Sequence, residues 1–120
     1  NLKGCSEIFI FAATIGAKFD MALNRARIVS IAEAAVFQAL GATAVEEVCD
    51  RLNKKLNDEC AEKGEKAHVR YSPGFGDFGL ENQKGVFSVL RPEKMIGLTL
   101  KDNLIMAPEK SVTAIIGIEK

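Results

Sequence analysis

The order of hydrophobic periods along the chain restricts its fold more than any other feature. Residues 7–15 form an apolar, β-branched run that predicts a buried strand, and apolar residues then recur every three or four positions to about residue 60, which predicts helices. Later segments predict a strand at 67–71, a helix at 80–90 and strands at 97–101, 104–106 and 111–118. Because consecutive strands with short turns pair antiparallel, this order predicts an α+β fold with an antiparallel sheet packed against long helices.

The helical region divides at Gly41. Residues 19–40 form one periodic pattern, and a second apolar stripe covers residues 45–60 and stops at Gly64. A glycine inside a helix costs about 1 kcal/mol relative to alanine, so we expect Gly41 to interrupt or bend the helix. The second helix also carries a polar face made of Glu46, Asp50, Asn53 and Asn57.

Length and charge exclude several classes of function. The 120 residues suffice for one domain with a core, and 16 basic and 16 acidic residues leave no net charge. This balance argues against a nucleic-acid partner, which usually requires a basic excess. No apolar stretch approaches the roughly 20 residues of a membrane span, and no export signal is evident. We therefore expect a cytoplasmic protein without a membrane partner.

Cysteine and histidine are too sparse to build a reactive centre. Cys49 and Cys60 lie eleven residues apart on one predicted helix and cannot form a disulfide, while Cys5 stands alone. His68 is the single histidine of the chain. The sequence therefore predicts reduced thiols, no metal site, and no catalytic nucleophile or base.

Residues 70–79, with the sequence Arg-Tyr-Ser-Pro-Gly-Phe-Gly-Asp-Phe-Gly, are unsuited to a helix or a core. Glycines allow a close approach of the backbone, and Arg70 offers a planar donor for a carboxylate or phosphate, so one hypothesis is an anion-binding loop. The glycines also match G-x-G-x-x-G, with Asp102 about 20 residues later, as in a dinucleotide fingerprint. A third hypothesis is a structural turn in which Phe75 and Phe78 fill the core.

The same segment resembles a known family. Arg-x-x-x-Gly-Phe at residues 70–75 resembles the R-x-x-x-G-Y signature of the reactivation domain of cobalamin-dependent methionine synthase, and residues 70–78 look like the longer form in short stand-alone relatives. The similarity covers nearly the whole chain, in order. The further matching segments are residues 4–7, 12–16, 44–46, 94–103 and 106–115.

The resemblance implies an α+β unit with a twisted antiparallel sheet that binds S-adenosylmethionine and presents its methyl group to cobalamin. The partners it implies are a corrinoid-binding methyltransferase domain or protein and an electron donor such as flavodoxin. Such a domain would support the reductive methylation that reactivates cobalamin. It would contribute orientation rather than acid–base catalysis, because the sulfonium is already a good leaving group.

The resemblance also implies the residues of the site. Arg70 would pair with the carboxylate of S-adenosylmethionine, the backbone at Tyr71 would contact the adenine or amino acid part, and Gly74 would allow close approach. Pro73 stiffens the same loop. Glu46 matches a family glutamate that faces the positive end of the ligand.

Two departures from the family pattern bear on ligand affinity. Phe75 replaces the tyrosine of the signature, and the family aspartate that precedes the matched region has no counterpart after Asn1. The resemblance therefore implies a single domain over residues 1–120 that lacks an amino-terminal portion. The alternative is a non-enzymatic module that docks on a corrinoid protein or its reductase. A ligand-binding domain needs Arg70 and Glu46 in one cleft, whereas a docking module does not.

Overall fold

The computed structural model describes residues 2–120, which form five strands and four helices. The strands and helices in chain order are β1 (Glu7–Thr14), α1 (Ala17–Val29), α2 (Ile31–Glu62), β2 (Lys66–Tyr71), α3 (Gln83–Leu90), α4 (Pro92–Met95), β3 (Thr99–Leu100), β4 (Met106–Ala107) and β5 (Ser111–Glu119). A short 3-10 turn at Leu80–Asn82 precedes α3. No helix within residues 2–120 is long and apolar enough to cross a membrane.

Strand β5 is the centre of a three-stranded antiparallel sheet with the order β1-β5-β2. β1 pairs with β5 over its whole length, from Glu7 opposite Ile118 to Thr14 opposite Ser111. β2 is shorter and its last residue, Tyr71, pairs with Ile115. The prediction of an α+β fold with an antiparallel sheet and long helices is confirmed.

The core lies between α2 and one face of this sheet. Because side chains alternate between the two faces of a strand, every second residue of β1 and β5 points toward α2. The buried residues of this cluster are Phe11, Ala13, Cys49, Leu56, Cys60, Ala114, Ile116 and Ile118. The opposite face of the sheet is contacted by the much shorter α3, which packs on β1.

The predicted break at Gly41 is wrong, because the two helices separate at Ser30. Ser30 has extended backbone angles, and its side chain accepts a hydrogen bond of 3.0 Å from the backbone N–H of Glu33, which caps α2. α2 then runs through Gly41 without interruption. A Cβ at position 41 would lie 2.5 Å from the ring of Phe19 and 2.8 Å from the stem of Lys110. Close packing of α1 on α2 therefore requires glycine there, and tertiary contact overrides its low helix propensity.

Two further differences from the sequence prediction concern the C-terminal half. The predicted helix at 80–90 begins as the 3-10 turn and becomes α-helical only at Gln83. The strands predicted at 97–101 and 104–106 exist in short form as β3 and β4, but they form their own two-stranded ladder apart from the main sheet. The three cysteines are free, as predicted.

Candidate functional site

An open cleft of about 550 Å³ forms where β2 ends and β5 continues. Beyond Tyr71, β2 no longer pairs with β5, and the loop at residues 72–79, named here the glycine loop, lines the cleft together with the start of β5. A volume of this size is typical of sites for small organic ligands. The lining residues are Glu46, Arg70, Tyr71, Ser72, Pro73, Phe75, Gln83, Met106, Ser111, Val112 and Thr113.

The glycine loop closes on itself through backbone hydrogen bonds. The N–H of Gly74 donates to the carbonyl of Phe78 at 2.7 Å, and the N–H of Phe78 donates to the carbonyl of Phe75 at 3.0 Å. Gly74 has a φ of +98°, which a side chain would strain, and this conformation lets the loop turn beside the cleft. The hypothesis that Phe75 fills the core is wrong, because its side chain is 69% exposed at the rim of the cleft.

Arg70 is fixed against one face of α2. Its Nη2 donates to Glu46 Oε2 at 2.7 Å and to Asp50 Oδ1 at 3.0 Å, while its Nη1 donates to Asn53 Oδ1. These three acceptors follow one another at helical spacings of four and three residues, so they share one stripe of α2. Only 21% of the Arg70 side chain is exposed. The guanidinium is therefore held rigidly beside the glycine loop.

The charges at this cluster do not cancel. Two carboxylates, Glu46 and Asp50, surround the single cation Arg70 and leave one net negative charge. Burial lowers the pKa of the Arg70 guanidinium, but its hydrogen bonds to Asp50 and Glu46 outweigh burial and leave the pKa above its ordinary value. Arg70 thus stays charged at any physiological pH. The excess carboxylate favours a ligand with a cationic group.

Gln83 and Thr113 form a neutral polar pair on the other side of the cleft. The Thr113 hydroxyl donates to Gln83 Oε1 at 2.5 Å, and both residues are buried, with exposures of 1% and 3%. Arg70 pairs with Ile116, three positions from Thr113 on β5, so Thr113 faces the opposite side of the sheet. Three residues of strand span about 10 Å. The cleft therefore crosses the edge of β5, with charged groups on the α2 side and neutral groups on the α3 side.

The structure brings together most of the residues selected from the sequence. Glu46, Arg70, Tyr71, Pro73 and Phe75 all line the cleft, and Gly74 lies between two of them in the glycine loop. Sequence reasoning did not select Gln83, Thr113, Ser111 and Met106. A signal existed for Gln83, because it interrupts the apolar side of the predicted helix at 80–90.

The dinucleotide hypothesis is wrong on topology. The G-x-G-x-x-G fingerprint needs a parallel strand–helix–strand unit whose helix begins in the glycine turn. Here β2 pairs antiparallel with β5, and α3 begins only at Gln83, four residues after Gly79. Asp102 lies in the exposed turn between β3 and β4.

The surroundings of Cys49 and His68 indicate a structural role for both side chains. Cys49 is fully buried, and this burial raises the pKa of its thiol, with Arg70 opposing the shift and Glu46 and Asp50 adding to it. His68 Nε2 lies 2.9 Å from Glu119 Oε2. Across residues 2–120, no group of three or more His, Cys, Asp or Glu side chains is arranged to hold a metal ion.

Comparison with known proteins identifies no relative. No family model matches the chain, and no curated protein matches it significantly. The class that the structure defines is an α+β domain with a small antiparallel sheet.

Proposed function

We propose that this domain binds S-adenosylmethionine in the cleft beside the glycine loop and supports reductive methylation of cobalamin. The cobalamin is held by a corrinoid-binding methyltransferase domain or protein. The observation that carries the proposal is the Arg70 guanidinium fixed between Glu46 and Asp50 at the mouth of a cleft of ligand size. Motif resemblance at residues 70–78 supports the same assignment.

The charges of the site complement this ligand. S-adenosylmethionine carries a sulfonium and an ammonium cation but one carboxylate, so its net charge of about +1 matches the excess carboxylate at Glu46 and Asp50. An arginine has five N–H donors, and α2 accepts hydrogen bonds from three of those of Arg70. The other two N–H groups, one on Nε and one on Nη1, would donate to the ligand carboxylate.

The rigid position of the Arg70 side chain favours ligand binding in addition to charge complementarity. A guanidinium already held by three acceptors loses little side-chain entropy when a ligand binds, which is the benefit of preorganisation. Tyr71, Pro73 and Phe75 supply aromatic and apolar surface to the lining of the cleft. The exposed ring of Phe75 provides a flat surface that a ligand can cover, and aromatic rings also attract cations such as a sulfonium.

The proposed chemistry requires alignment of the reacting atoms rather than proton transfer. S-adenosylmethionine would supply the methyl group and leave as S-adenosylhomocysteine, and the partner's cobalamin, reduced by one electron from a donor such as flavodoxin, would accept the methyl group. The residues of this domain bind the donor, orient the methyl group toward the corrinoid partner and exclude water.

Calorimetric titration with S-adenosylmethionine tests the proposal. We expect micromolar affinity for the wild-type domain and a loss of at least about 30-fold, roughly 2 kcal/mol, in Arg70→Ala, because the variant removes the cation that pairs with the ligand carboxylate. Arg51→Ala is the matched control, since Arg51 lies on the exposed side of α2 and pairs with Glu47. A folded wild-type domain that gives no heat refutes the proposal.

The second candidate function is a module that docks on the corrinoid protein or its reductase without binding S-adenosylmethionine. Exposed apolar side chains at the junction of α1 and α2 favour it, and Glu33 is the sole charge between residues 28 and 45. These exposed side chains are Ile28, Val29, Ile31, Val36 and Leu40. Co-elution with a corrinoid methyltransferase that is lost in Ile31→Glu, together with no heat on titration, identifies the docking module.

A further inference from the structure

We propose that Gln83 is the specificity-determining residue of the cleft and that its side-chain amide donates a hydrogen bond to a ring nitrogen of adenine. This inference rests on the proposed function, because it assigns one end of the cleft to the base of S-adenosylmethionine. It concerns a residue that the motif resemblance does not include.

The orientation of the Gln83 amide is fixed by Thr113. The Thr113 hydroxyl donates to Gln83 Oε1 at 2.5 Å, so the oxygen of the amide is engaged. The bond from Thr113 leaves the two N–H donors of Nε2 on the other arm of the amide. Because Gln83 is 3% exposed and lines the cleft, we infer that these donors are the polar groups that it offers to a ligand there.

A confined amide donor selects a ligand that offers an acceptor. Leaving such a donor unpaired when a ligand displaces water is unfavourable, so the ligand atom that reaches Gln83 must accept a hydrogen bond. The ring nitrogens of adenine are acceptors, whereas the ammonium group of the amino acid part is a donor. Neutral surroundings at Gln83 also suit an uncharged base better than a charged amino acid.

The arrangement of the cleft gives the ligand a direction. Glu46 and Arg70 lie on the α2 side of β5, and Gln83 and Thr113 lie on the other side, about 10 Å further along the strand. Met106, which also lines the cleft, adds apolar surface that suits a flat ring. The amino acid end of the ligand thus lies against α2, and the base lies against Gln83.

Deaza analogues of S-adenosylhomocysteine test the hydrogen bond directly. Each analogue replaces one ring nitrogen of adenine by C–H and removes one acceptor. We expect one of the 1-, 3- and 7-deaza analogues to bind the wild-type domain about tenfold more weakly than S-adenosylhomocysteine. In Gln83→Met we expect the affinity for S-adenosylhomocysteine to fall by a similar factor. We expect the sensitive analogue to bind this variant as tightly as S-adenosylhomocysteine does. Such non-additivity identifies the two partners of one bond.

Two more variants separate binding from folding. Gln83→Glu keeps an acceptor for the Thr113 hydroxyl but removes the amide donor, so it provides the same test if Gln83→Met does not fold. Lys84→Met is the matched control, since Lys84 is the exposed neighbour of Gln83 and does not line the cleft. We expect this control to bind every ligand with wild-type affinity.

The outcomes distinguish the two proposals. If the wild-type domain binds S-adenosylmethionine but folded Gln83→Met and Gln83→Glu bind it equally well, the adenine assignment fails and the proposed function stands. The assignment is also wrong if, for all three analogues, the loss of affinity caused by Gln83→Met adds fully to the loss caused by the analogue. It is wrong too if the affinity lost in Gln83→Met depends on the exocyclic amino group of adenine instead of a ring nitrogen. If the wild-type domain binds no S-adenosylmethionine, both proposals fail.

Discussion

The two sides of the main sheet differ in how they contribute to the cleft. On one side the 32-residue helix α2 covers the core and presents Glu46, Asp50 and Asn53 to Arg70. On the other side the eight-residue helix α3 contributes Gln83, which is held by a single hydrogen bond from Thr113. The α2 side therefore supplies charge and a rigidly held guanidinium, and in our proposal the α3 side supplies selectivity for a neutral group.

The largest expected difference between the two sides is in how a glycine-to-alanine substitution changes the stability of the protein. In Gly41→Ala the new Cβ would lie 2.5 Å from the Phe19 ring, so we expect a loss of about 2 kcal/mol in the free energy of unfolding, since overpacking outweighs the gain in helix propensity. In Gly85→Ala nothing lies within 4 Å of the new Cβ, so stability rises by up to about 1 kcal/mol.

Urea unfolding followed by circular dichroism measures both changes. Opposite signs for the two variants support the difference in packing between the α2 side and the α3 side. Equal and small destabilisation in both would contradict the close approach of α1 and α2 at Gly41.

A smaller effect is expected from loosening Arg70 without removing its charge. Asn53→Ala removes the acceptor of Arg70 Nη1, so the guanidinium gains freedom, and we expect S-adenosylmethionine to bind about fivefold more weakly, roughly 1 kcal/mol. Asn57→Ala, one turn further along the same face, is the control and keeps wild-type affinity. Calorimetry on both variants makes the comparison. An unchanged affinity in Asn53→Ala indicates that the position of Arg70 does not matter for binding.

The smallest expected effect is a pH dependence on the α2 side. Because burial raises the pKa of the Cys49 thiol above its ordinary value of 9.0, the folded state holds this proton more tightly than the unfolded chain. The resulting stabilisation is complete below the unfolded pKa and is lost as the pH rises through the folded one. Cys49→Ala should therefore show a shallower decline of stability than the wild type above about pH 9.

Val45→Ala serves as the control for this prediction. It creates a cavity on the same buried stripe of α2 but removes no titratable group, so its stability falls with pH as steeply as that of the wild type. Denaturant unfolding at several pH values gives the slopes. Identical slopes for Cys49→Ala and the wild type would contradict the raised pKa.

Features fixed by local sequence were predictable, and features fixed by distant contacts were not. The strand at residues 7–15 and the antiparallel sheet follow from hydrophobic period and turn length. The helix break was misplaced because Ser30 caps α2, while Gly41 is required by contact with Phe19. A glycine that permits packing and a glycine that ends a helix look the same in a sequence.

The same distinction applies to the cleft. Arg70 and the glycine loop stand together in the sequence, and Glu46 was selected by resemblance, so this side of the cleft could be predicted. The polar face of the second helix was also visible, but its hydrogen bonds to Arg70 depend on how β2 packs against α2. Gln83 and Thr113 are thirty residues apart, and only the fold makes them neighbours.

The most direct test of the central claim compares the affinities of S-adenosylmethionine and S-adenosylhomocysteine in the wild-type domain and in Glu46→Gln. Of the two ligands, S-adenosylmethionine alone carries the positive sulfonium. The excess carboxylate beside Arg70 should favour this charge. We predict that the wild type prefers S-adenosylmethionine by about fivefold, roughly 1 kcal/mol, and that Glu46→Gln loses this preference. A folded wild-type domain that binds neither ligand, or a preference that persists in Glu46→Gln, would contradict the account.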